Sequence, residues 1–341
     1  MDRSALESTA RALVAPGKGI LAADESGGTI KKRFDKINVE STEANRRAYR
    51  DLLFTADGIG DYISGVILFD ETIRQASFDG DIPFPKVLES QGVIPGIKVD
   101  TGAKPLALAA DGETVTEGLD GLRDRLAEYR ALGARFAKWR GTYTITDELP
   151  SQYAVDVNAD ALARYAALCQ EAGIVPIVEP EVLMEGDHTL ERSAVVTAAT
   201  LEALYAALFE QRVHLPGTLL KPNMVLSGYD HQPRASVQEV ADATVACFRR
   251  HVPAAVPGIV FLSGGQSDED ATAHLNAMNR SGPHPWELSF SYGRALQAAA
   301  QQAWRGEEAN RAAAQRAFLQ RARLNSLARR GDYSSDMEQA A

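Results

Sequence analysis

Short apolar segments recur along the chain, and each ends in polar or charged residues. Eight of them occur, at 19–24, 62–70, 94–100, 134–140, 174–181, 217–225, 258–265 and 288–294. Amphipathic stretches with helical periodicity separate most of them, at 41–57, 119–132, 160–172, 189–212, 236–251 and 268–280, and a long Ala/Arg/Gln-rich stretch covers 294–330. Near-continuous apolar runs indicate strands buried on both faces, and their alternation with helices indicates parallel βαβ units. Eight such units predict an α/β fold, a (β/α)8 TIM barrel, rather than an open doubly wound sheet.

No low-complexity linker divides the chain. We therefore expect one barrel domain over residues 1–330, with extended C-terminal helices at its end. The remaining residues, 331–341, are small and polar, and they predict a short flexible tail. The chain has 341 residues and is 45% hydrophobic, which suffices for one large core.

Composition narrows the classes of function. The formal net charge of -10 disfavours a general nucleic-acid or membrane-surface binder. No signal-like N-terminus and no apolar run of about 20 residues is found, so we expect no membrane span. The two cysteines, Cys169 and Cys247, fall in helix-like segments and fit core packing in a reducing cytoplasm. The six histidines lack zinc-like spacing and no calcium loop appears, so we expect no metal site.

Charged side chains stand at the ends of five predicted strands. In strand order these are Asp24, Lys98, Lys138 with Arg140, Glu179 with Glu181, and Lys221. The carboxyl ends of barrel strands carry the active site in this fold, and residues two apart point to the same face of a strand. One such residue alone would be a rim salt bridge. Their recurrence on one edge predicts an active site, although a network that only ties strand ends together stays an alternative.

Lys221 lies in the apolar stretch "LLKPNMV", where an ammonium group is costly to hold. Apolar surroundings and a second cation, which Lys138 can supply, favour the neutral amine and make it a usable nucleophile. Such an amine forms a Schiff base with a ketone or aldehyde. Loss of water needs an acid–base group with a pKa near the working pH, for which Glu179 is the candidate, and Asp24 could accept the hydroxyl proton at the cleaved bond.

Two glycine-containing strand ends predict anion binding. "FLSGGQS" and "SYGRA" follow the seventh and eighth strands, where phosphate sites are common in this fold, and Ser263 and Arg294 add donors. Across the mouth, "DESGGTIKKR" and Lys98 offer hydroxyls and cations for a second phosphate. The residues therefore predict a Schiff-base lyase that acts on a phosphorylated carbonyl compound.

Eight longer motifs follow one another in order between about residues 4 and 330. They are "GILAADES", "GIKVD", "FAKWR", "VEPEVL", "EGDH", "LLKPNMV", "FLSGGQS" and "SFSYGRALQ". Together they resemble class I fructose-1,6-bisphosphate aldolase. The resemblance implies a homotetrameric, cytoplasmic barrel that needs no metal. It also implies reversible cleavage of fructose 1,6-bisphosphate to dihydroxyacetone phosphate and glyceraldehyde 3-phosphate in glycolysis and gluconeogenesis.

The resemblance also assigns roles. It implies that Lys221 is the Schiff-base lysine, that Glu179 is the acid–base group with Glu181 tuning its charge, and that Asp24 handles the hydroxyl proton. Lys138 would polarise the substrate, and Arg140 would contact it. The ketone-side phosphate would be held by Ser263, Gly264, Gly293 and Arg294. The other phosphate would face Ser26, Thr29 and Lys98, with Thr29 standing where the family is expected to have a serine.

The C-terminus departs from the family pattern. Many members end in a tyrosine that reaches the site and helps to protonate the enamine, whereas this chain ends "SSDMEQAA". Its last tyrosine is Tyr333. The sequence leaves open whether Tyr333, another group or water protonates the enamine. It also leaves open whether this step is slower in this chain.

Three rival functions remain at this point. Another lysine Schiff-base barrel, such as a transaldolase or a deoxyribose-phosphate aldolase, would act on a different phosphorylated sugar. A catalytically idle barrel would serve as a binding scaffold. A metal-dependent aldolase is disfavoured by the scattered histidines.

Overall fold

The computed structural model describes residues 2–339 and contains a closed barrel of eight parallel strands. The barrel strands and one additional hairpin are β1 (Gly19–Ala23), β2 (Ile63–Leu68), β3 (Ile94–Lys98), β4 (Gly102–Pro105), β5 (Thr114–Glu117), β6 (Phe136–Tyr143), β7 (Val175–Val182), β8 (Leu219–Leu220), β9 (Gly258–Phe261) and β10 (Glu287–Tyr292). Around the barrel the order is β1-β10-β9-β8-β7-β6-β3-β2, and the hairpin consists of β4 and β5. The predicted (β/α)8 TIM barrel is therefore confirmed.

Each of the eight predicted segments contains a barrel strand, but three details differ. The sixth segment, 217–225, forms a strand of only two residues, because Pro222 cannot donate to the strand ladder. The fourth runs beyond its predicted end to Tyr143, since it pairs with β7 along its whole length. The antiparallel hairpin β4–β5 was not predicted, because both strands are short and lack an apolar run, and β4 is mostly exposed.

The helices are α1 (Arg3–Leu13), α2 (Gly27–Asp35), α3 (Glu43–Phe54), α4 (Ile59–Tyr62), α5 (Asp70–Ile73), α6 (Phe84–Ser90), α7 (Leu122–Ala131), α8 (Gln152–Glu171), α9 (Leu190–Glu210), α10 (Val237–His251), α11 (Asp268–Arg280), α12 (Arg294–Trp304) and α13 (Arg311–Ala328). Short 3-10 turns occupy Leu215–Gly217, Glu308–Asn310 and Ser335–Glu338.

Local capping explains where the helix prediction was wrong. The predicted helix 160–172 begins earlier, because the Ser151 hydroxyl accepts a hydrogen bond from the Ala154 amide at 3.2 Å and starts α8 at Gln152. The stretch 294–330, for which we expected C-terminal helices, does form two helices. Arg305 and Gly306 both have positive φ, 51° and 78°, which ends α12 and lets the chain turn back into α13.

The barrel interior is a packed core rather than a channel. Helix α1 covers the N-terminal end of the barrel, and its buried Leu6, Ala10 and Leu13 join inward-facing residues of six barrel strands in one apolar cluster. The Phe136 ring fills the centre. A Cβ at position 96 would lie 2.4 Å from this ring, so only glycine fits there. Closing this end leaves the opposite, carboxyl end of the strands as the open mouth.

Helix α9 corrects one prediction. It is the one helix between residues 2 and 339 that is long and apolar enough to span a membrane, with a mean hydropathy of 1.3 over its most apolar window, whereas we expected no run of that length. Packing in the barrel explains part of the apolar composition of α9, since this helix packs against α8, α10 and β7. Its outer face leaves Val195 and Phe209 largely exposed, at 61% and 83%.

The described part of the C-terminal tail lies against the barrel. Tyr333 is buried, its amide donates to Asn276 Oδ1 at 3.0 Å, and its hydroxyl donates to Glu338 Oε1 at 2.8 Å. Glu338 also forms an ion pair with Arg321 of α13 at 2.6 Å. These contacts define a C-terminal cluster of Tyr333, Glu338 and Arg321. The flexibility predicted for 331–341 stays a prediction, and its last two residues lie outside the described range.

Candidate active site

One cavity of about 640 Å³ opens at the carboxyl ends of the barrel strands. All thirteen residues predicted from sequence line it, namely Asp24, Ser26, Thr29, Lys98, Lys138, Arg140, Glu179, Glu181, Lys221, Ser263, Gly264, Gly293 and Arg294. They come from seven barrel strands and the loops that follow them. The structure therefore brings together side chains that are separated by as many as 270 positions in the sequence.

Lys221 follows the two-residue strand β8 and continues its pairing, since its amide donates to the Val178 carbonyl at 2.8 Å. Leu219, Leu220 and Met224 around it are fully buried. This backbone fixes where the side chain begins, and the apolar residues pack around its stem. Only 5% of the Lys221 side chain is exposed, so its amine is largely removed from bulk water.

Glu179 lies between two lysines. Its Oε1 is 3.1 Å from Lys221 Nζ, and its Oε2 is 3.2 Å from Lys138 Nζ. The Glu179 side chain is only 4% exposed. One buried carboxylate therefore touches both amines of the site and can exchange a proton with either.

Lys138 is also bound on its other side. Its Nζ is 2.8 Å from Asp24 Oδ2 and 4.0 Å from Asp100 Oδ2. Asp24 thus reaches across the mouth from β1 to the lysine on β6. The central cluster, as we use the term, consists of Asp24, Lys138, Glu179 and Lys221.

Charge rather than burial sets the ionisation of this cluster. Burial alone would raise the pKa of Glu179, but the ammonium groups of Lys138 and Lys221 outweigh it and hold that pKa below its usual range. The same two lysines likewise lower the pKa of Asp24 against its burial. Burial alone would lower the pKa of Lys138, but the surrounding carboxylates raise it well above its usual range. In the free protein, both carboxylates and Lys138 are therefore charged.

This electrostatic state differs from one expectation. We expected a pKa of Glu179 near the working pH, whereas the free protein has it lower. The cause is the second ammonium group, that of Lys138, which the strand order placed near Glu179 and which the structure brings to 3.2 Å from the carboxylate.

Arg140 and Glu181 line the cavity beside the central cluster. The Arg140 guanidinium pairs with Glu181, and its backbone amide donates to Asp100 Oδ2 at 3.3 Å. About 43% of the Arg140 side chain remains exposed. This exposure leaves the guanidinium free to meet a ligand that enters the cavity.

The loops after β9 and β10 line one side of the cavity. Ser263 is buried at its wall, and a Cβ at position 264 would lie 3.0 Å from Glu181 Oε1, which favours glycine there. Gly293 precedes the first turn of α12, where backbone N–H groups are free to bind an anion. Arg294 is exposed and begins α12. These features suit a phosphate.

On the other side of the cavity, Ser26 Oγ lies 3.3 Å from Thr29 Oγ1 at the start of α2. Lys98 is only partly free, because it pairs with Asp100 Oδ1 at 2.5 Å. Arg33 lines the same wall and pairs with the buried carboxylate of Glu25. Hydroxyls and cations therefore converge at this end as well.

Sequence reasoning missed other residues that line the cavity, among them Asp100, Glu25, Arg33 and Ser291. Asp100 closes "GIKVD" two positions after Lys98, so the spacing rule applied to the other strands would have found it. Glu25 and Arg33 lie inside the quoted "DESGGTIKKR" but gave no strand-end signal. Ser291 is buried at the cavity wall, and its hydroxyl has no hydrogen-bond partner within residues 2–339.

No group of three or more His, Cys, Asp or Glu side chains within the described range is arranged to hold a metal ion. Cys169 and Cys247 are both buried and unpaired by disulfides. Burial raises the pKa of the Cys247 thiol to about 12.

Known proteins match this chain over nearly its whole length. A family profile described as fructose-bisphosphate aldolase class-I matches residues 5–341. A probable fructose-bisphosphate aldolase class 1 of Xanthomonas campestris pv. campestris is 58% identical, over 98% of this chain and 99% of the relative. Fructose-bisphosphate aldolase B of Gallus gallus is 54% identical, over 97% and 91% of the two chains.

A solved structure agrees with these matches. Fructose-bisphosphate aldolase of Plasmodium falciparum, crystallised with TRAP and a small-molecule inhibitor, superposes with a TM-score of 0.95 at 50% identity and covers 97% of this chain. The resemblance of the eight motifs is thereby confirmed, as is the carbon–carbon lyase activity that it implies. The chain belongs to the class I fructose-bisphosphate aldolase family.

Proposed function

We propose that the chain carries out its family's reaction through a Schiff base on Lys221, without a metal or another cofactor. Fructose 1,6-bisphosphate would be cleaved reversibly to dihydroxyacetone phosphate and glyceraldehyde 3-phosphate. The observation that supports this most directly is the position of Glu179, a buried carboxylate within 3.2 Å of two lysine amines at the mouth of the barrel.

Schiff-base formation begins with a proton transfer. Lys221 Nζ passes a proton to Glu179 Oε1 over 3.1 Å, and the neutral amine attacks the ketone carbon. Glu179 then donates a proton to the hydroxyl of the carbinolamine, which leaves as water while the C=N bond forms. The same carboxylate thus acts first as base and then as acid.

The electrostatics of the cluster suit this change of role. Two ammonium groups lower the pKa of Glu179 in the free protein. When Lys221 becomes the nitrogen of a neutral carbinolamine, one of the two is removed, and the pKa of Glu179 rises. Lys138 keeps its charge because carboxylates surround it, so it can polarise the substrate throughout.

Bond cleavage needs a base on the far side of the scissile bond. Asp24 is ionised in the free protein and accepts the proton of the hydroxyl on that carbon. The electrons of the broken C–C bond move into the iminium group, which gives an enamine on Lys221 and an aldehyde product. Protonation of the enamine and hydrolysis then release the ketone product.

The tail bears on which group protonates the enamine. Tyr333 is not among the residues lining the cavity, and its hydroxyl is already bound to Glu338. In this arrangement a group within the cavity or a water molecule is better placed than Tyr333 to donate that proton.

Two phosphate subsites follow from the same cavity. Ser263, Gly264, Gly293 and Arg294 would hold the ketone-side phosphate, with Glu181 keeping Arg140 beside the substrate. Ser26, Thr29 and Lys98 would face the other phosphate. The two phosphate groups of the substrate are best bound at the two ends of the mouth. At the centre of the mouth, the lysines are already paired with carboxylates.

The test is borohydride reduction of the protein in the presence of dihydroxyacetone phosphate, followed by peptide mass spectrometry. The expected result is a mass increment at Lys221 in the "LLKPNMV" peptide. No adduct, or an adduct at Lys138, would reassign the roles. Full activity after dialysis against EDTA is expected as well, and its loss would withdraw the metal-free mechanism.

We also propose that the chain acts as a cytoplasmic homotetramer, as the family resemblance implies. Val195 and Phe209 on the outer face of α9 are exposed apolar residues of the kind that subunit contacts cover. Light scattering coupled to size-exclusion chromatography tests this, and Phe209→Glu should shift the mass toward a smaller species. A monomer for the unchanged chain would contradict the proposal.

A further inference from the structure

Gln266 and His274 form a buried pair behind the loop that follows β9. Gln266 is 7% exposed and His274 is 6% exposed. Gln266 Oε1 and His274 Nδ1 are 2.7 Å apart. Burial lowers the pKa of His274 to about 4, so the ring is neutral at neutral pH. Because a carbonyl oxygen only accepts, His274 carries its proton on Nδ1 and donates it to Gln266.

The backbone of Gln266 contacts Arg294. Arg294 Nη2 donates to the Gln266 carbonyl at 3.2 Å. Within residues 2–339, this is the one hydrogen bond that the Arg294 side chain makes to the protein, and the residue is otherwise exposed. The direction of the Gln266 carbonyl therefore determines where the guanidinium is held.

The loop has a backbone hydrogen bond of its own, from the Gln266 amide to the Ser263 carbonyl at 3.3 Å. Gln266 follows two glycines, and Gly265 has a φ of 84°, a conformation that favours glycine. Neither glycine has a side chain to fix the loop. The Nε2 atom of Gln266 has no partner within residues 2–339, so His274 supplies the only hydrogen bond to that side chain.

We propose that His274 and Gln266 are positioning residues for Arg294, and that they set the affinity of the adjoining subsite for phosphate. This inference rests on the proposed role of Arg294 in phosphate binding. His274 fixes the Gln266 side chain, Gln266 presents its carbonyl, and the carbonyl holds the guanidinium over the cavity. Neither positioning residue touches substrate.

The test compares His274→Leu with His274→Asn. Leucine keeps an apolar side chain of similar size but removes the donor, whereas the asparagine amide nitrogen can take the place of Nδ1. Inorganic phosphate is the binding probe, measured by competition, alongside KM and kcat for fructose 1,6-bisphosphate and the melting temperature. Loss of the hydrogen bond between His274 and Gln266 predicts a rise in KM and in the phosphate Kd of about 3- to 10-fold, with kcat nearly unchanged. His274→Asn should restore both constants.

A purely structural role predicts a different result. His274→Leu would then lower the melting temperature but leave KM and the phosphate Kd unchanged, which would overturn the inference. If His274→Leu does not fold, Gln266→Met serves instead, because it keeps the backbone carbonyl and the side-chain volume but loses the acceptor.

Arg294→Ala separates this inference from the proposed function. If Arg294→Ala leaves the phosphate Kd unchanged, the proposed subsite is wrong and the inference falls with it. If Arg294→Ala weakens phosphate while His274→Leu does not, only the positioning role is wrong. In the double variant, positioning through Arg294 predicts no further loss beyond Arg294→Ala alone, and additive losses would contradict it.

Discussion

Two buried ion-pair clusters in this molecule use similar chemistry on different supports. In the central cluster, Lys138 and Glu179 lie within β6 and β7 and Lys221 directly follows β8, and their side chains are only 4 to 5% exposed. In the C-terminal cluster, Arg321 of helix α13 binds Glu338 of a short 3-10 turn, and the Glu338 side chain is 20% exposed. The first cluster is built on the barrel, and the second joins a terminal segment to it.

The two clusters differ in whether the carboxylate, Glu179 or Glu338, can exchange its partners when a ligand binds. Glu179 faces two amines and a cavity, so a ligand can change its partners. Glu338 accepts from Arg321 and from Tyr333, and neither contact faces that cavity. Arg321 and Glu338 line a different cavity, of about 790 Å³, whose lining includes no residue of the central cluster, and there the pair joins the terminal segment to α13.

Removing the nucleophile should have the largest effect. Lys221→Met keeps the length of the side chain but has no amine, so no Schiff base can form. We expect turnover of fructose 1,6-bisphosphate to fall by about 10³- to 10⁶-fold and the borohydride adduct to disappear. Lys86→Met, at a lysine whose side chain is 63% exposed, is the matched control and should leave both unchanged. Residual turnover above a hundredth of the original would argue against Lys221 as the nucleophile.

Glu179→Gln should cause the second largest loss of turnover. The amide cannot exchange protons, and it leaves two buried amines without the carboxylate between them. Turnover should drop by about 10²- to 10⁴-fold. The melting temperature should also fall, because removing one partner of a buried ion pair costs about 3–5 kcal/mol. A variant with normal turnover over the whole pH range would show that another group acts as acid and base.

The central cluster was predictable from sequence because its members obey one rule of the fold. Parallel strands bring their carboxyl ends to one edge, so Asp24, Lys138 and Lys221 had to lie near each other once eight strands were recognised. Distances were not predictable. That Glu179 contacts both lysines depends on side-chain packing within the mouth, and this contact determines its pKa.

The C-terminal cluster illustrates the opposite case. "GDYSSDMEQ" has the composition of a mobile tail, and no periodicity marks it as an element. Its contacts depend on Arg321, on the helix α13 that precedes it, and on Asn276 of α11, which lies 57 positions before Tyr333. Gln266 and His274 were missed for the same reason, since a buried side-chain pair leaves no signal in a hydrophobic pattern.

Acidification should reveal the buried histidine near the mouth. Burial lowers the pKa of His274 from 6.5 to about 4 in the folded protein, so the unfolded chain binds a proton more readily between those values. Stability therefore falls as the pH drops from about 6.5 to 4, by about 3 kcal/mol from this group. Melting temperatures across this range should fall less steeply in His274→Asn than in the unchanged protein. Equal slopes would show that His274 does not titrate as its burial implies.

Truncation after Arg330 should have the smallest effect on activity. It removes Tyr333 and Glu338, neither of which lines the cavity, so turnover should stay largely intact. Stability should decrease, because Arg321 loses its carboxylate partner while its side chain is only 7% exposed.

The matched control ends the chain after Gln339 and keeps the C-terminal cluster. Differential scanning calorimetry of the two truncations isolates the cluster, and each kcal/mol lost corresponds to a fall of about 2–4 °C in melting temperature. A large loss of turnover in the shorter protein alone would place the tail in catalysis. That result would remove the distinction drawn between the two clusters, because a segment bound through Arg321 and Glu338 would then have to leave them and reach the barrel mouth during the reaction.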